Sequence, residues 1–275
     1  MTRKHPQPAV LLLSDLPTWG RVALASAAPL IEAAGFQACC LPTALLSTHG
    51  AYPGFVLEPQ TAYLEKAWAH LETLNLPFTA VALGFVGDRS QFPLLERIVA
   101  RVKSTGGLVL VDPILGDNGR RYGLFDEDYV PAFRSLIALA DVITPNLTEA
   151  ALLLGEDAGR VPDPGEVEGW TRALAALGPS RVVLTSAPFP RPEMTGVAWY
   201  DRSTDRAGRV AHRRLGEGIP GTGDVLAARL LSFMLQGKAF PVAVRRAVRG
   251  TVADLRRSHS TQRPPLWGPE GPLSP

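Results

Sequence analysis

The sequence predicts a three-layer α/β/α protein, in which a mainly parallel sheet carries helices on both faces. Short runs rich in Val and Leu, with little polar alternation, are typical of strands that are covered on both faces. Longer segments place apolar residues three or four positions apart, as amphipathic helices do. The two kinds of segment alternate along the chain, and this alternation predicts βαβ units and a parallel sheet.

The elements follow in chain order. Five apolar runs have the length of buried strands: 9–13, 80–85, 107–112, 141–144 and 181–185. Helices are predicted where apolar residues recur at helical spacing: Leu64, Trp68, Leu71 and Leu74; Leu94, Leu95, Ile98 and Val102; Val225, Leu226, Leu230 and Phe233. The segments 196–202 and 208–214, joined by a polar turn at Ser203–Asp205, predict an antiparallel hairpin at a sheet edge.

The chain shows no sign of a division into domains. The alternating pattern continues from about residue 9 to residue 258, so we expect a single domain over residues 1–262. The tail, residues 263–275, is dominated by Pro and Gly and is expected to be irregular and mobile.

Composition excludes several classes of protein. With 46% hydrophobic and 20% charged residues among 275, the chain is not disordered. Its 28 basic and 26 acidic residues leave a net charge of +2, which argues against nucleic acid or a membrane as partner. No apolar run is long enough to span a membrane, and the run 9–13 is shorter than the ~7–15 residues of a signal-peptide core. Because Cys39 and Cys40 are adjacent, no disulfide framework exists, and we expect a cytoplasmic protein.

The strongest chemical signal is Gly-Ile-Pro-Gly-Thr-Gly-Asp at 218–224, directly before a predicted helix. Gly221 and Gly223 allow backbone N–H groups to approach an anion, and the helix adds its own unpaired N–H groups. A carboxylate beside a phosphate makes sense if Asp224 takes a proton from a hydroxyl that attacks the phosphate. The alternative is a glycine turn with Asp224 as the helix N-cap.

Two further segments place carboxylates at strand ends. In 111–117, Asp112 and Asp117 flank a turn and suit a hydrated Mg²⁺, although an ordinary Asp-Pro turn has the same residues. The polar segment 118–123 that follows suits a lid over a charged ligand or a plain surface loop. In 144–149, Glu149 is a second candidate metal ligand, and the alternative is a capping box that pairs Asn146 with Glu149.

Other strand ends carry weaker signals. Thr185 and Ser186 would bind a nucleotide phosphate or simply end a strand. In the amino-terminal half, Ser14, His49 and Phe85 are candidates for a pocket that binds a flat ring, although a lone histidine is more often structural. No zinc motif, nucleophile elbow or Walker P-loop is present in the sequence.

The order Asp-Pro-Ile-Leu-Gly-Asp, Thr-Pro-Asn-x-x-Glu and Gly-Thr-Gly-Asp resembles the ribokinase-like superfamily, and within it the pyridoxal/pyridoxamine kinase branch. The resemblance extends from Ser14 and Asp15 through the last predicted helix. It implies a ribokinase-like α/β/α kinase, usually a homodimer, that uses ATP, Mg²⁺ and often a monovalent cation such as K⁺.

The resemblance also implies residue roles. Asp224 matches the catalytic base, and the anion hole matches Gly221, Thr222 and Gly223. Positions around the metal and the ATP phosphates match Asp112, Asp117, Asn146 and Glu149, of which Asp117 and Glu149 are the metal candidates. Nucleotide contacts match Thr185 and Ser186, and positions on the vitamin side match Ser14, His49 and Phe85.

The departures from the branch fall on the substrate side. Gly50 stands where relatives have threonine, Phe85 stands where tyrosine is common, and the 118–123 segment has no cysteine. The motifs for phosphoryl transfer are retained, and the resemblance implies phosphorylation of the 5′-hydroxymethyl group of a B6 vitamer, in vitamin salvage. The alternatives are a kinase for hydroxymethylpyrimidine or another small alcohol, and a non-catalytic protein that binds a vitamer or nucleotide.

Overall fold

The structure is a computed structural model that describes residues 7–215 and 219–261, with side chains as far as residue 258. Gly218 of the glycine-rich segment and the tail 263–275 lie outside the described residues.

In the described residues, nine strands form one sheet and two short strands form a hairpin beside it. The strands are β1 (Ala9–Trp19), β2 (Gln37–Thr48), β3 (Leu57–Pro59), β4 (Phe78–Leu83), β5 (Leu108–Val111), β6 (Gly116–Asp117), β7 (Arg120–Arg121), β8 (Val142–Ile143), β9 (Arg181–Leu184), β10 (Met194–Asp201) and β11 (Arg206–Arg213). Their order in the main sheet is β11-β10-β9-β8-β5-β4-β1-β2-β3. The six strands from β9 to β2 in this order are parallel, so their carboxyl ends meet at one edge.

Eight helices cover the two faces of the sheet in the same part of the chain. They are α1 (Ala23–Ala33), α2 (Thr61–Thr73), α3 (Phe92–Ser104), α4 (Tyr129–Leu139), α5 (Leu147–Leu154), α6 (Val167–Ala176), α7 (Thr222–Leu235) and α8 (Phe240–Thr261). Helices α2 to α6 pack on one face, and α1, α7 and α8 pack on the other. The three-layer, mainly parallel fold expected from the sequence is confirmed.

The central strand β1 shows why an uninterrupted apolar run predicts a doubly covered strand. Leu11 and Leu13 point into the core on one face, and Val10 and Leu12 point into the core on the other. All four side chains are buried, and each contributes about 1.5–3 kcal/mol of transfer free energy. The alternation of side chains in a strand therefore gives β1 two apolar faces.

Where the structure differs from the predicted elements, local chemistry explains the difference. Leu74 was expected on the buried face of a helix, but α2 ends at Thr73 because Asn75 adopts a left-handed φ of +53°, and Leu74 is exposed. Strand β2 was not predicted, since it contains Pro42 and mixes buried with exposed residues. The edge hairpin is confirmed as β10 and β11.

Within the described ranges, none of the helices combines the length and the apolar character needed to cross a bilayer.

Candidate active site

The glycine-rich segment forms the start of α7. Gly221 has a left-handed φ of +86°, and a Cβ there would lie 2.5 Å from the carbonyl oxygen of Arg21, so only glycine fits. Thr222 donates its hydroxyl to the carbonyl of Ile219 at 2.6 Å, which fixes the turn. The N-cap of α7 is Gly221, so the alternative interpretation of Asp224 as N-cap is wrong. Asp224 lies in the first helical turn instead.

The Asp224 carboxylate is held by a distant part of the chain. The backbone N–H of Ala23, the first residue of α1, donates to Asp224 Oδ2 at 2.8 Å. Ala23 itself is buried and has a left-handed φ of +48°, a strained conformation of the kind that occurs at functional sites. Burial raises the pKa of Asp224, and the Ala23 N–H partly opposes this effect. No hydrogen bond to Oδ1 is seen among the described residues, so one oxygen is anchored and the other remains available.

Asp112 lies next to the start of α7. It follows β5, is buried, and accepts a hydrogen bond from the Thr144 hydroxyl to Oδ1 at 2.9 Å. Its Oδ2 is 3.8 Å from the point where a Cβ on Gly223 would stand. Burial, followed by the negative charge of Asp224, raises the pKa of Asp112 to about 7. Asp112 and Asp224 therefore share one electrostatic environment.

The segment after β8 forms a capping box and also supplies a buried carboxylate. Glu149 Oε2 accepts the N–H of Asn146 at 2.8 Å, and the Glu149 N–H donates to Asn146 Oδ1 at 2.9 Å. Glu149 Oε1 accepts the Leu115 N–H at 3.4 Å. Burial, and then the charge of Asp112, raises the pKa of Glu149. The predicted capping box is confirmed, and it leaves Glu149 facing the other carboxylates.

The 116–121 hairpin is tied to α5. Asn146 donates its side-chain amide to the Gly116 carbonyl at 2.9 Å, and the Gly119 N–H donates to the Thr148 hydroxyl at 2.9 Å. Asp117 is exposed on this hairpin and accepts the N–H of Asn118 at 2.8 Å. Its charge makes a small contribution to the raised pKa of Glu149, so the two candidate metal ligands lie within electrostatic reach of each other.

Sequence reasoning did not single out Tyr122, which follows the hairpin. Its pKa is raised by burial first and then by the charges of Glu149, Asp117, Asp112 and Asp224. The phenol therefore lies within electrostatic reach of all four carboxylates. Tyr122 is 40% exposed, so part of the residue remains accessible to solvent. The signal available in the sequence was its place in the polar 118–123 segment.

Thr185 and Ser186 follow β9 and lie beside the 144–149 segment. The Thr185 N–H donates to the Pro145 carbonyl at 2.8 Å. Ser186 is exposed and has a left-handed φ of +55°. The structure thus places both at the same edge of the sheet as Asp112 and Asn146.

The Ser14 hydroxyl is already engaged at the end of the central strands. It accepts the Phe85 N–H at 3.1 Å and donates to Asp15 Oδ1 at 3.3 Å. Phe85 is 8% exposed, and its ring centre lies 5.6 Å from that of Phe125. The Phe85 ring is thus packed in the core.

His49 follows β2 and meets the loop that follows β1. A Cβ on Gly20 would stand 2.4 Å from His49 Cδ2, so the imidazole lies directly against this glycine. Its ring centre is 5.0 Å from that of Tyr52, edge to face. His49 is thus placed at the β1–β2 side of the edge, away from the 144–149 segment in the strand order.

Asp15 is a buried acid at the end of the first apolar run and is not one of the site residues predicted from the sequence. It is 6% exposed and lies in β1, just past the point where β1 ceases to pair with β4. Burial, followed by the charge of Asp224, raises the pKa of Asp15 to about 7. Its position at the carboxyl end of the first apolar run was the signal that could have found it.

The donor set suits Mg²⁺ better than a metal that needs a protein cage. No group of three or more His, Cys, Asp or Glu side chains able to enclose an ion occurs in residues 7–215 and 219–261. Mg²⁺ commonly keeps several waters and binds one or two carboxylates together with substrate phosphates. Asp117 and Glu149 provide two carboxylates of this kind.

A cavity of about 650 Å³ lies between β11 and α8, and none of its lining residues is a site residue predicted from the sequence. The candidate active site is therefore identified by the convergence of carboxylates and helix N-termini, and not by cavity size.

Comparisons with known proteins agree on one group of kinases. Residues 31–264 match the family model described as phosphomethylpyrimidine kinase. A pyridoxine/pyridoxal/pyridoxamine kinase of Bordetella avium is 32% identical, over 86% of this chain and 81% of the relative. The crystal structure of pyridoxal kinase from Lactobacillus plantarum has a TM-score of 0.83 and 33% identity, covering 93% of this chain and 90% of that chain. A Bacteroides thetaiotaomicron structure with pyridoxal has a TM-score of 0.88 and 35% identity, covering 92% and 88%.

Proposed function

The chain belongs to the phosphomethylpyrimidine kinase family, and we propose that it transfers the γ-phosphoryl group of ATP to the 5′-hydroxymethyl group of a B6 vitamer. It is an enzyme of the pyridoxal kinase type, like its Bordetella and Lactobacillus relatives. The observation that carries the proposal is the placement of Asp224, whose partly buried carboxylate stands in the first turn of α7 with one oxygen anchored and one available.

Asp224 acts as the general base. The Ala23 N–H holds Oδ2, which leaves Oδ1 to accept the proton of the substrate hydroxyl. Because burial raises its pKa, Asp224 is a better proton acceptor than an exposed aspartate. A positioned acid or base of this kind contributes a factor of about 10²–10⁴ to the rate.

The start of α7 stabilises the negative charge on the phosphoryl group. The backbone N–H groups of Gly221, Thr222 and Gly223 lie at a helix N-terminus, where the helix dipole also favours an anion. The Thr222 N–H also donates to the Ile219 carbonyl at 3.3 Å, a long bond for which an anion would compete. Donors already in place before the reaction need no reorganisation as charge develops. The left-handed Gly221 sets the direction of these donors.

ATP is proposed to bind at the 112–117 and 144–149 segments and at Thr185 and Ser186; we call this the nucleotide side. Asp117 and Glu149 would hold a hydrated Mg²⁺, which when bound neutralises charge on the phosphate oxygens. Since both oxygens of Glu149 already accept backbone N–H groups, we expect it to act through a metal-bound water. Asp112 and Asn146 are proposed to lie beside the phosphates.

The substrate side is proposed at the β1–β2 side of the edge. His49 and Phe85 would contact the ring, and the engaged hydroxyl of Ser14 would act by holding Asp15 and the Phe85 backbone in place. A homodimer, a cytoplasmic location, a requirement for K⁺ and a single domain over residues 1–262 stay predictions.

A coupled assay of ADP release tests the function. Pyridoxal, pyridoxine, pyridoxamine, hydroxymethylpyrimidine and ribose would be compared at equal concentration, with an alcohol-free reaction as the control for ATP hydrolysis. We expect the highest kcat/KM with a B6 vitamer. Hydroxymethylpyrimidine is the second candidate because the matching family model carries the pyrimidine name, and a higher kcat/KM with it would make it the substrate. Binding of vitamer and ATP without ADP release would indicate a non-catalytic protein.

A further inference from the structure

Asp15 is a buried carboxylate that neither the phosphoryl transfer nor the nucleotide side uses. Burying a carboxylate is costly unless a partner compensates it. In the described residues, the only hydrogen bond from another residue to this carboxylate comes from the Ser14 hydroxyl, at 3.3 Å to Oδ1. The opposing carboxylate of Asp224 adds repulsion. The backbone N–H of Asp15 itself offsets part of the cost, but burial and the charge of Asp224 together still raise the pKa of Asp15 to about 7. Other residues thus compensate this buried carboxylate only weakly.

The hydrogen bonds at Ser14 show which of the two neighbours is free to bind a ligand. A hydroxyl has one proton to donate, and Ser14 gives it to Asp15 while it accepts the Phe85 N–H. An ionised carboxylate has about four acceptor positions, so Asp15 retains capacity after this bond. The polar group left for a substrate at the end of β1 is therefore Asp15, and not Ser14.

The position of Asp15 restricts which part of a substrate it can meet. The charge of Asp224 raises the pKa of Asp15, so Asp15 lies within electrostatic reach of the base that would take the hydroxyl proton. Strand β1 is flanked by β2, which leads to His49, and by β4, which leads to Phe85. In the strand order, Asp15 therefore stands between the strands that lead to the two proposed ring contacts, within reach of the base.

We propose that Asp15 accepts a hydrogen bond from a nitrogen-bound proton on the substituent adjacent to the reacting hydroxymethyl group, and that the enzyme thereby favours amino-substituted ring alcohols over the corresponding aldehyde. The proposal rests on the proposed function. The chemistry is shared by the aminomethyl group of pyridoxamine, which is an ammonium, and the ring amine of hydroxymethylpyrimidine, which is neutral. An aldehyde oxygen can only accept a hydrogen bond, and so can an ionised Asp15. An aldehyde beside Asp15 therefore places two acceptors against each other with no donor between them.

The electrostatics around Asp15 favour such a partner. The nearby negative charge and the burial that raise the pKa of Asp15 make its ionised form unfavourable without a ligand. A donor from the substrate compensates that form, and an ammonium also reduces the repulsion between Asp15 and Asp224. Sites built to bind a substrate N–H discriminate strongly against an analogue that lacks it.

The test compares kcat/KM for pyridoxamine, pyridoxal and hydroxymethylpyrimidine in the wild-type enzyme and in Asp15→Asn. We expect the wild type to prefer at least one amino substrate to pyridoxal by about tenfold or more. Asp15→Asn should reduce that preference at least about tenfold, mainly through KM for the amino substrates, because asparagine carries no charge and its amide can donate to an aldehyde oxygen. Glu65→Gln, on the exposed side of α2, is the matched control and should leave every ratio unchanged.

The outcomes separate the proposal from the proposed function. If Asp15→Asn loses the preference over pyridoxal for both amino substrates, a neutral N–H donor is enough for Asp15. If it loses the preference for pyridoxamine alone, Asp15 requires a cation. Both results support the proposal. Unchanged ratios in Asp15→Asn, with pyridoxal turnover intact, would overturn it while leaving the kinase function standing. ADP release with none of the alcohols would refute the function itself. If Asp15→Asn does not fold, Asp15→Ser removes the same charge and must show the same loss of preference.

Discussion

Removing the charge of Asp15 is expected to stabilise the ligand-free protein at neutral and alkaline pH. In the folded state Asp15 is buried beside Asp224, and its pKa is about 7, against 3.8 for an ordinary aspartate. Between about pH 4 and pH 7 the folded chain therefore holds a proton that the unfolded chain has lost. Raising the pH through this range disfavours the folded state, and the penalty is complete above about pH 8.

The magnitude follows from the same values. A pKa that moves from 3.8 to about 7 corresponds to about 4 kcal/mol, at about 1.4 kcal/mol for each tenfold change. Asp15→Asn keeps the shape of the side chain and still accepts the Ser14 hydroxyl. We therefore expect the free energy of unfolding of the variant to exceed that of the wild type by up to about 4 kcal/mol at pH 8, and to match it near pH 4.

Urea denaturation of both proteins at half-unit steps from pH 4 to pH 9 measures this difference. Glu65→Gln on α2 is the control, and its difference from the wild type should not change with pH. If the gain in unfolding free energy of Asp15→Asn is constant across the pH range, or if the variant is less stable than the wild type at pH 8, then the Asp15 carboxylate is not destabilised by burial and repulsion as we infer.

Three further substitutions test the two sides of the site. Glu149→Gln keeps an acceptor for the Asn146 N–H but loses the charge. Half-maximal activity should therefore require a higher Mg²⁺ concentration than in the wild type. An unchanged Mg²⁺ dependence would assign Glu149 to the capping box alone. Gly50→Thr has room, because the nearest atom to its Cβ would be in Phe55, at 4.0 Å. The new hydroxyl should lower KM for pyridoxal, by a factor that corresponds to the ~0.5–1.5 kcal/mol of a net hydrogen bond. A KM that rises for every vitamer would contradict this prediction. Gly221→Ala places a Cβ at a left-handed φ and against a backbone carbonyl. It should lower the free energy of unfolding by about 2–5 kcal/mol and also reduce turnover. Gly223→Ala is the control: its Cβ would have no atom nearer than 3.8 Å, so it should fold normally.

Much of the fold could be predicted because doubly buried strands such as β1 have a simple sequence signature. The strand ends followed from the same runs, and so did the clustering of Asp112, Asn146 and Glu149 at one edge. Strand β2 was missed because its residues are partly exposed and include Pro42. Such a strand has neither the continuous apolar run nor the strict alternation on which prediction depends.

The contacts that define the site could not be predicted, because they join distant parts of the chain. Ala23 and Asp224 are 201 residues apart, and their hydrogen bond depends on how α1 and α7 begin side by side. The same proximity brings Asp15 into the field of Asp224. Local pattern gave Asp224 two roles, base or N-cap, and only the left-handed Gly221 at the helix start excludes the second.

The central claim is that Asp224 is the base for phosphoryl transfer, and Asp224→Asn tests it most directly. We expect kcat to fall by about 10²–10⁴ while the affinity for ATP stays near that of the wild type, since the backbone of 221–223 is unchanged. The melting temperature should hold or rise, because asparagine still accepts the Ala23 N–H and a buried charge is removed. A variant that folds, binds ATP and turns over at a near-normal rate would contradict the account.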